Sequence, residues 1–201
     1  RVELTYARQW FDTRSTGAAL GLGSGFTFHQ DIVGAKVRLI GDAVYDQDSW
    51  LPQIAAGLQY KTNNRGAVIK AVGGKSDEGV DYYVAATKVL LAQSLLLNGT
   101  IRETKANQFG ILGFGGDRNS GYTTQFEGSA AVLISRQLAF GAEYRTKPDN
   151  LRFAHEDDAV DVFLAYFLDK NLSATLAFVG LGDIATRKDQ NGVYLSLQAG
   201  F

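Results

Sequence analysis

At the carboxyl end of the chain Val193, Leu195, Leu197, Ala199 and Phe201 alternate with Tyr194, Ser196, Gln198 and Gly200. Successive side chains of a β-strand point to opposite faces, so this segment reads as a strand with one apolar and one polar side. Leu138, Phe140, Ala142 and Tyr144 stand in the same way against Gly141, Glu143 and Arg145, and Phe126, Gly128, Ala130, Val132 and Ile134 against Gln125, Glu127, Ser129 and Ser135. The alternation predicts about 11 strands, near 1–11, 32–41, 52–62, 66–73, 80–91, 94–105, 122–136, 138–147, 159–168, 171–182 and 191–201, many close to the roughly 9 to 11 residues of a tilted membrane-crossing strand. No apolar run approaches the roughly 18 residues of a spanning helix.

The connections expected between these segments alternate short and long, as in outer-membrane barrels with tight turns at one end and longer loops at the other. Residues 63–65, 92–93, 136–137 and 169–171 read as the turns, and 74–79, 106–121, 148–158 and 183–190 as the loops. The segment 12–31 strains the rule, being long on what should be the turn side; Ala18-Ala19-Leu20 could form a helical turn there that tucks into the opening. Aromatic residues sort toward the two ends, as interfacial girdles do. Trp10, Tyr60, Phe140, Tyr166 and Phe201 fall at the turn side, and Tyr82, Tyr122, Tyr144 and Phe178 toward the loop side. The expected fold is therefore an all-β, antiparallel, up-and-down transmembrane barrel in a single domain over 1–201, located in the bacterial outer membrane. An odd strand count conflicts with the even counts of bacterial barrels, so further N-terminal strands and a closed barrel of about 12 to 14 are expected. The opening Arg1-Val2-Glu3-Leu4, already alternating and without a signal peptide, agrees with that expectation.

Arg1 to Phe11, Asp42 to Asp48, Phe114 to Arg118, Glu143 to Leu151 and Tyr194 to Phe201 resemble a proteobacterial family known only as a domain of unknown function. The likeness runs through essentially the whole chain. It implies a secreted, outer-membrane-type protein with residues before Arg1, and brings no catalytic or binding residue with it. The alternating strand that closes on Phe201 also resembles the C-terminal signal read by the barrel-assembly machinery, an expected partner.

With the apolar faces on lipid, the lumen would receive Lys36, Arg38, Lys61 and Lys70, followed by Asp81, Arg102, Glu127, Glu143, Arg145 and Asp161. Charges away from bulk water need partners or an aqueous path. A plugged, salt-bridged lumen and a narrow channel are thus the two structural options, and the basic cluster would bias a channel toward anions. The loop 106–121 carries Phe109, Ile111, Leu112 and Phe114 in a glycine-rich frame, unusually apolar for an outer loop, and is expected to fold inward or to present a contact patch.

Composition removes several function classes. A net charge of −1 leaves no basic field for nucleic acid, and the absence of cysteine excludes disulfides, thiolate zinc sites and thiol nucleophiles. The acidic groups Asp42, Asp46 and Asp48, and His155-Glu156-Asp157-Asp158, lack cation-loop spacing and read as solvated loop charge near lipopolysaccharide. His155 with Asp157 is the rim arrangement open to hydrolase chemistry, without a nucleophile motif beside it. His29 reads as structural. No cofactor, metal or catalytic residue is expected. The leading reading is a narrow passive channel for small polar or anionic solutes, touching outer-membrane lipid and lipopolysaccharide; the alternatives are a plugged barrel held by an envelope protein partner and an outer-membrane hydrolase.

Overall fold

Ladder register decides which side chains share a face. Tyr60 stands opposite Val33 on one neighbour and Val80 on the other, while Lys61 stands opposite Ile32 and Gly79. In the computed structural model, all residues are described except 20, 47, 48, 185, 186 and 201 and the side chains of 15, 16 and 19. The described residues form β1 (Val2–Asp12), β2 (Thr27–Ile40), β3 (Gln53–Asn63), β4 (Glu78–Leu90), β5 (Leu95–Thr104), β6 (Thr123–Leu133), β7 (Leu138–Arg145), β8 (Ala159–Phe167), β9 (Leu172–Ile184) and β10 (Arg187–Ala199). Two short helices interrupt the series, α1 (Arg14–Ala19) after β1 and α2 (Gly66–Ala71) after β3.

The ten strands make one sheet in sequence order, every neighbouring pair antiparallel. The sheet curls into a half-barrel, so that Gln9 of β1 and Tyr194 of β10 line the same interior cavity of about 550 Å³. Its convex face carries exposed Leu58, Val84, Ile101, Phe126, Val162 and Leu176, and Leu195 is 75% exposed. The concave face carries Gln59, Lys61, Asp81, Arg102, Gln125 and Glu127. This reverses a water-soluble β-protein, whose apolar faces meet inside. Edge strands β1 and β10 each pair with one neighbour only among the described residues.

The apolar core lies at one end of the sheet, where connections 64–77, 105–122 and 146–158 meet. Ile69, fully buried, lies there against Gly74 and Gly113, and Ala106, Phe114, Leu151 and Ala154 are buried as well. Phe114 bridges to Ser76 and to Ala106, extending a short ladder beyond the sheet.

That core accounts for the main difference from the expected strands. Segment 66–73 is not a strand: Gly66–Ala71 form α2, with Ile69 as its buried residue. Three apolar residues in a row, Ala67-Val68-Ile69, have no period of their own, and packing of one side chain against the loop core selects the helical turn over extension. Removing that strand leaves ten, an even set, so parity no longer calls for an extra one. It also reverses the direction of everything before it. The long β1–β2 connection, 13–26, joins the loop end, where long connections belong, and 41–52 becomes the longest member of the turn end, beside 91–94, 134–137 and 168–171. Trp10 and Tyr60 therefore stand at the loop end rather than the turn end, together with Tyr82, Tyr122, Tyr144 and Phe178. Phe140 and Tyr166 keep their turn-end positions, and Phe201 lies outside the described residues. The helical turn expected at Ala18-Ala19-Leu20 is α1, which ends at Ala19; Leu20 is also outside the described residues. The strand expected from 32 begins at Thr27, because the β1–β2 ladder continues through Trp10–His29 to Asp12–Thr27.

Candidate functional site

The concave wall is a ladder of paired charges. Lys61 Nζ lies 2.7 Å from Asp81 Oδ2, and Asp81 Oδ1 accepts a hydrogen bond from the Thr104 hydroxyl. Arg102 joins the next rung by two bonds to Glu127, 2.6 and 3.3 Å. It donates a further bond to Gln59 Oε1 at 3.1 Å and stacks on Tyr83 at 5.1 Å. Arg145 pairs with Glu143, and both line a second interior cavity of about 460 Å³ with Asp161. Lys61, Asp81, Arg102 and Glu127 are all largely buried. Removing one member of such a pair leaves a buried charge uncompensated, at a cost of about 3–5 kcal/mol.

The expected basic cluster does not assemble. Lys36 pairs with Glu3 of β1 at 2.6 Å, and Arg38 pairs with Asp42. Lys61 is neutralised by Asp81. Lys70 is exposed on α2 and leaves the concave wall altogether, because its segment is helical. The remaining wall is mixed in sign and its charges are paired, although Gln30 Oε1 and Asp81 Oδ2 are buried without a hydrogen-bond partner.

Above this wall sits the loop 105–122, folded into the half-barrel. Its backbone is held from three sides. Gln30 of β2 and Lys61 of β3 each donate to the Phe109 carbonyl at 3.3 Å, and Asn63 donates to the Ile111 carbonyl at 2.8 Å. The Gln108 side chain donates to the Asp183 carbonyl of β9 at 3.0 Å. The Gln108 amide meets both carboxylate oxygens of Glu156 at 3.0 Å. Inside the loop, buried Asn107 donates to the carbonyls of Leu112 and Gly115 and accepts from Asn150. Gln108 and Phe109 both have positive φ, 46° and 58°, a conformation that costs a non-glycine residue of order 1–3 kcal/mol and persists only where its surroundings over-determine it. The result is that Phe109 lines three interior cavities, the two that carry charged pairs and a third, without a carboxylate, of about 430 Å³.

The acidic loop groups do not act as clusters. His155 extends outward between Asp149 and Asp157, 2.9 and 3.3 Å from its two ring nitrogens. Its hydrogen bond to Asp149 raises its pKa. With both nitrogens on carboxylates, the ring has no free base position to offer a substrate. Glu156 turns inward to Gln108, Asp157 accepts from the Asp183 amide, and Asp158 accepts from Tyr144 and Lys147. Burial pushes the Glu156 carboxyl up to about 7, opposed by the Gln108 N–H and by Lys147. Burial likewise lowers the Lys147 ammonium, which donates to the Leu181 carbonyl at 2.7 Å. Asp42 accepts the amides of Val44 and Tyr45, which lower its pKa; Asp48 lies outside the described residues. His29 sits edge-on to Trp10, its amide bound by Asn64, as a structural residue would.

The tyrosines of the loop end keep their rings on the convex face and their hydroxyls toward the loops. Tyr60 donates to Glu78 at 2.6 Å, Tyr122 to the Val80 carbonyl at 3.1 Å, and Tyr144 to Asp158. Sequence reasoning missed Gln30, Asn107, Lys147 and Asn150, polar residues whose burial follows from the inward loop and has no local signature. It read Glu156 as solvated because three polar neighbours surround it in sequence. No curated protein matches the chain significantly. A family model described as "Protein of unknown function (DUF3034)" matches residues 1–198, and the chain belongs to that family.

Proposed function

We propose that this chain is the greater part of an outer-membrane β-barrel that crosses the bilayer with its convex face in lipid and acts as a narrow, low-conductance passage for small polar solutes, closed at rest by the 105–122 loop. The observation that carries the reading is the inversion of polarity across the sheet: apolar side chains dominate its outside and most paired charges stand inside, with the Arg8–Asp31 pair beside Tyr6 as a convex exception toward the loop end. Monomeric soluble proteins rarely expose apolar patches beyond about 300–600 Å², and a band that spans ten strands needs a covering of its own size. Lipid supplies it.

Unpaired edges are untenable in hydrocarbon, where each unsatisfied backbone group costs several kcal/mol. Edges β1 and β10 therefore call for closure, and the barrel we propose has about 12 to 14 strands, an even number within the range of bacterial barrels. This size lies between barrels filled by side chains and open porins. The outer-membrane lipid and lipopolysaccharide are its surroundings, and the barrel-assembly machinery would engage β10. Pairing of Lys36, Arg38 and Lys61 with acids leaves no unopposed basic ring, so the passage is expected to show little preference for anions. A specific observation favours a second reading, that of a plugged scaffold held by an envelope partner: the loop is tied by hydrogen bonds to β2, β3, β9 and the 146–158 connection.

Planar-bilayer recording separates the two. A passage gives brief, small steps from the native protein and frequent larger ones when residues 107–115 are replaced by a short Gly-Ser linker. Silence from both proteins contradicts the passage and favours the scaffold.

A further inference from the structure

The third interior cavity differs in chemistry from its neighbours. It occupies about 430 Å³ at the loop end, next to the charged cavity, and eleven of its sixteen lining residues are apolar. Phe28, Val68, Val72, Leu112, Leu181 and Ile184 reach it from separate segments of the chain. The apolar part of its wall offers water no partners and forgoes the dispersion contacts that a filled site would make. Its polar lining is concentrated on β10, at Arg187, Gln190 and Asn191, with Thr13 and Gln108 as the other contributors. Phe11 of β1 and Asn191 of β10 border the same space, so the cavity lies across the gap between the two sheet edges.

We propose that this cavity is a binding site for a single-chain amphiphile of the fatty-acid class, its hydrocarbon tail among the apolar residues beside Phe109 and its anionic head at the β10 rim. The volume lies near the lower end of small-ligand pockets, about 300–1,000 Å³, which suits one chain and excludes a multi-tailed lipid. The one-sided polar rim suits a ligand with one polar end, and the side-chain amides of Gln190 and Asn191 at that rim offer N–H donors to a carboxylate. The site adjoins the charged cavity, sharing Phe109, Ile111 and Leu181 with it, but does not require a passage there.

The test is photolabelling of the full chain in phospholipid vesicles with a diazirine-bearing saturated fatty acid, with adducts mapped by mass spectrometry. The expected result is labelling of peptides that carry Val72 and Leu112, suppressed by excess unlabelled fatty acid and not by added diacyl phospholipid. Val72→Trp and Leu112→Trp each fill the cavity from a different wall, and should lower that labelling roughly tenfold, the loss expected when two methylenes no longer fit. Adducts on convex residues such as Leu195 should persist and report that the variants are folded. Absence of cavity adducts in the native protein, as when further chain fills the space, overturns the proposal, and so does equal labelling of both tryptophan variants. Failure of the membrane reading would register separately, as loss of the convex-face adducts alone.

Discussion

Glu156 shows how much one buried side chain does at the loop end. Its carboxylate holds the Gln108 amide, and Lys147, Asp149 and His155 are the charged groups that act on it. The folded pKa of about 7 lies above the ordinary 4.5, so the packed loop is favoured by protonation. That contribution is complete below about 4.5 and is lost as pH rises through about 7, a difference on the order of 3 kcal/mol. Protease resistance of the 105–122 loop is therefore expected to fall between about pH 5 and pH 8 in the native protein and to stay level in Glu156→Gln; parallel profiles would refute this role. The Lys61–Asp81 pair invites a different measurement. Lys61→Met alone strands a buried carboxylate and should destabilise by about 3 kcal/mol, whereas Lys61→Met with Asp81→Leu should recover much of that loss. Additive losses in unfolding would mean that the two side chains are not coupled.

At the scale of elements, the strands were legible because their side-chain period is a local property. Leu58 and Tyr60 against Gln59 and Lys61 announce their faces without reference to any partner. Segment 66–73 was not legible, since Ala67-Val68-Ile69 supports a strand or a helix, and contact of Ile69 with loops distant in sequence decides between them. That one error reversed the ends assigned to Trp10 and Tyr60, because up-and-down topology propagates direction from strand to strand. The inward loop was half legible: its apolar residues and glycines stand out, but its anchors Gln30 and Asn150 do not. Close packing gives the loop cluster a sharp test. A methyl group at Gly116 would stand 1.9 Å from the Asn150 carbonyl oxygen, whereas one at Gly128, on the convex face, meets nothing within 4 Å. Gly116→Ala is expected to expose 105–122 and 146–158 to protease at a local cost of about 1–3 kcal/mol, and Gly128→Ala to leave both as they are. Equal protection of the two variants would show that the loop contact is dispensable.

The whole molecule is organised by an inverted distribution of polarity. Its sheet buries charge pairs and amides on the concave side and presents hydrocarbon on the convex side, while the conventional apolar core is confined to the loop end around Ile69, Phe114 and Leu151. In water this arrangement would leave the apolar band of every strand unburied, at about 25 cal/mol for each Å² not removed from solvent. In a bilayer the same band is satisfied, and the tyrosine hydroxyls of the loop end meet the interface. Contact of the convex face with lipid is thus the decisive property of the proposed membrane barrel. The chain has no cysteine, so single cysteines can be introduced along β6 from 125 to 132, spin-labelled, and scored in bilayers for collision with oxygen and with a water-soluble nickel chelate. Positions 126, 128, 130 and 132 are expected to favour oxygen, and 125, 127, 129 and 131 not to, in strict alternation. Equal nickel accessibility on both sets would contradict it.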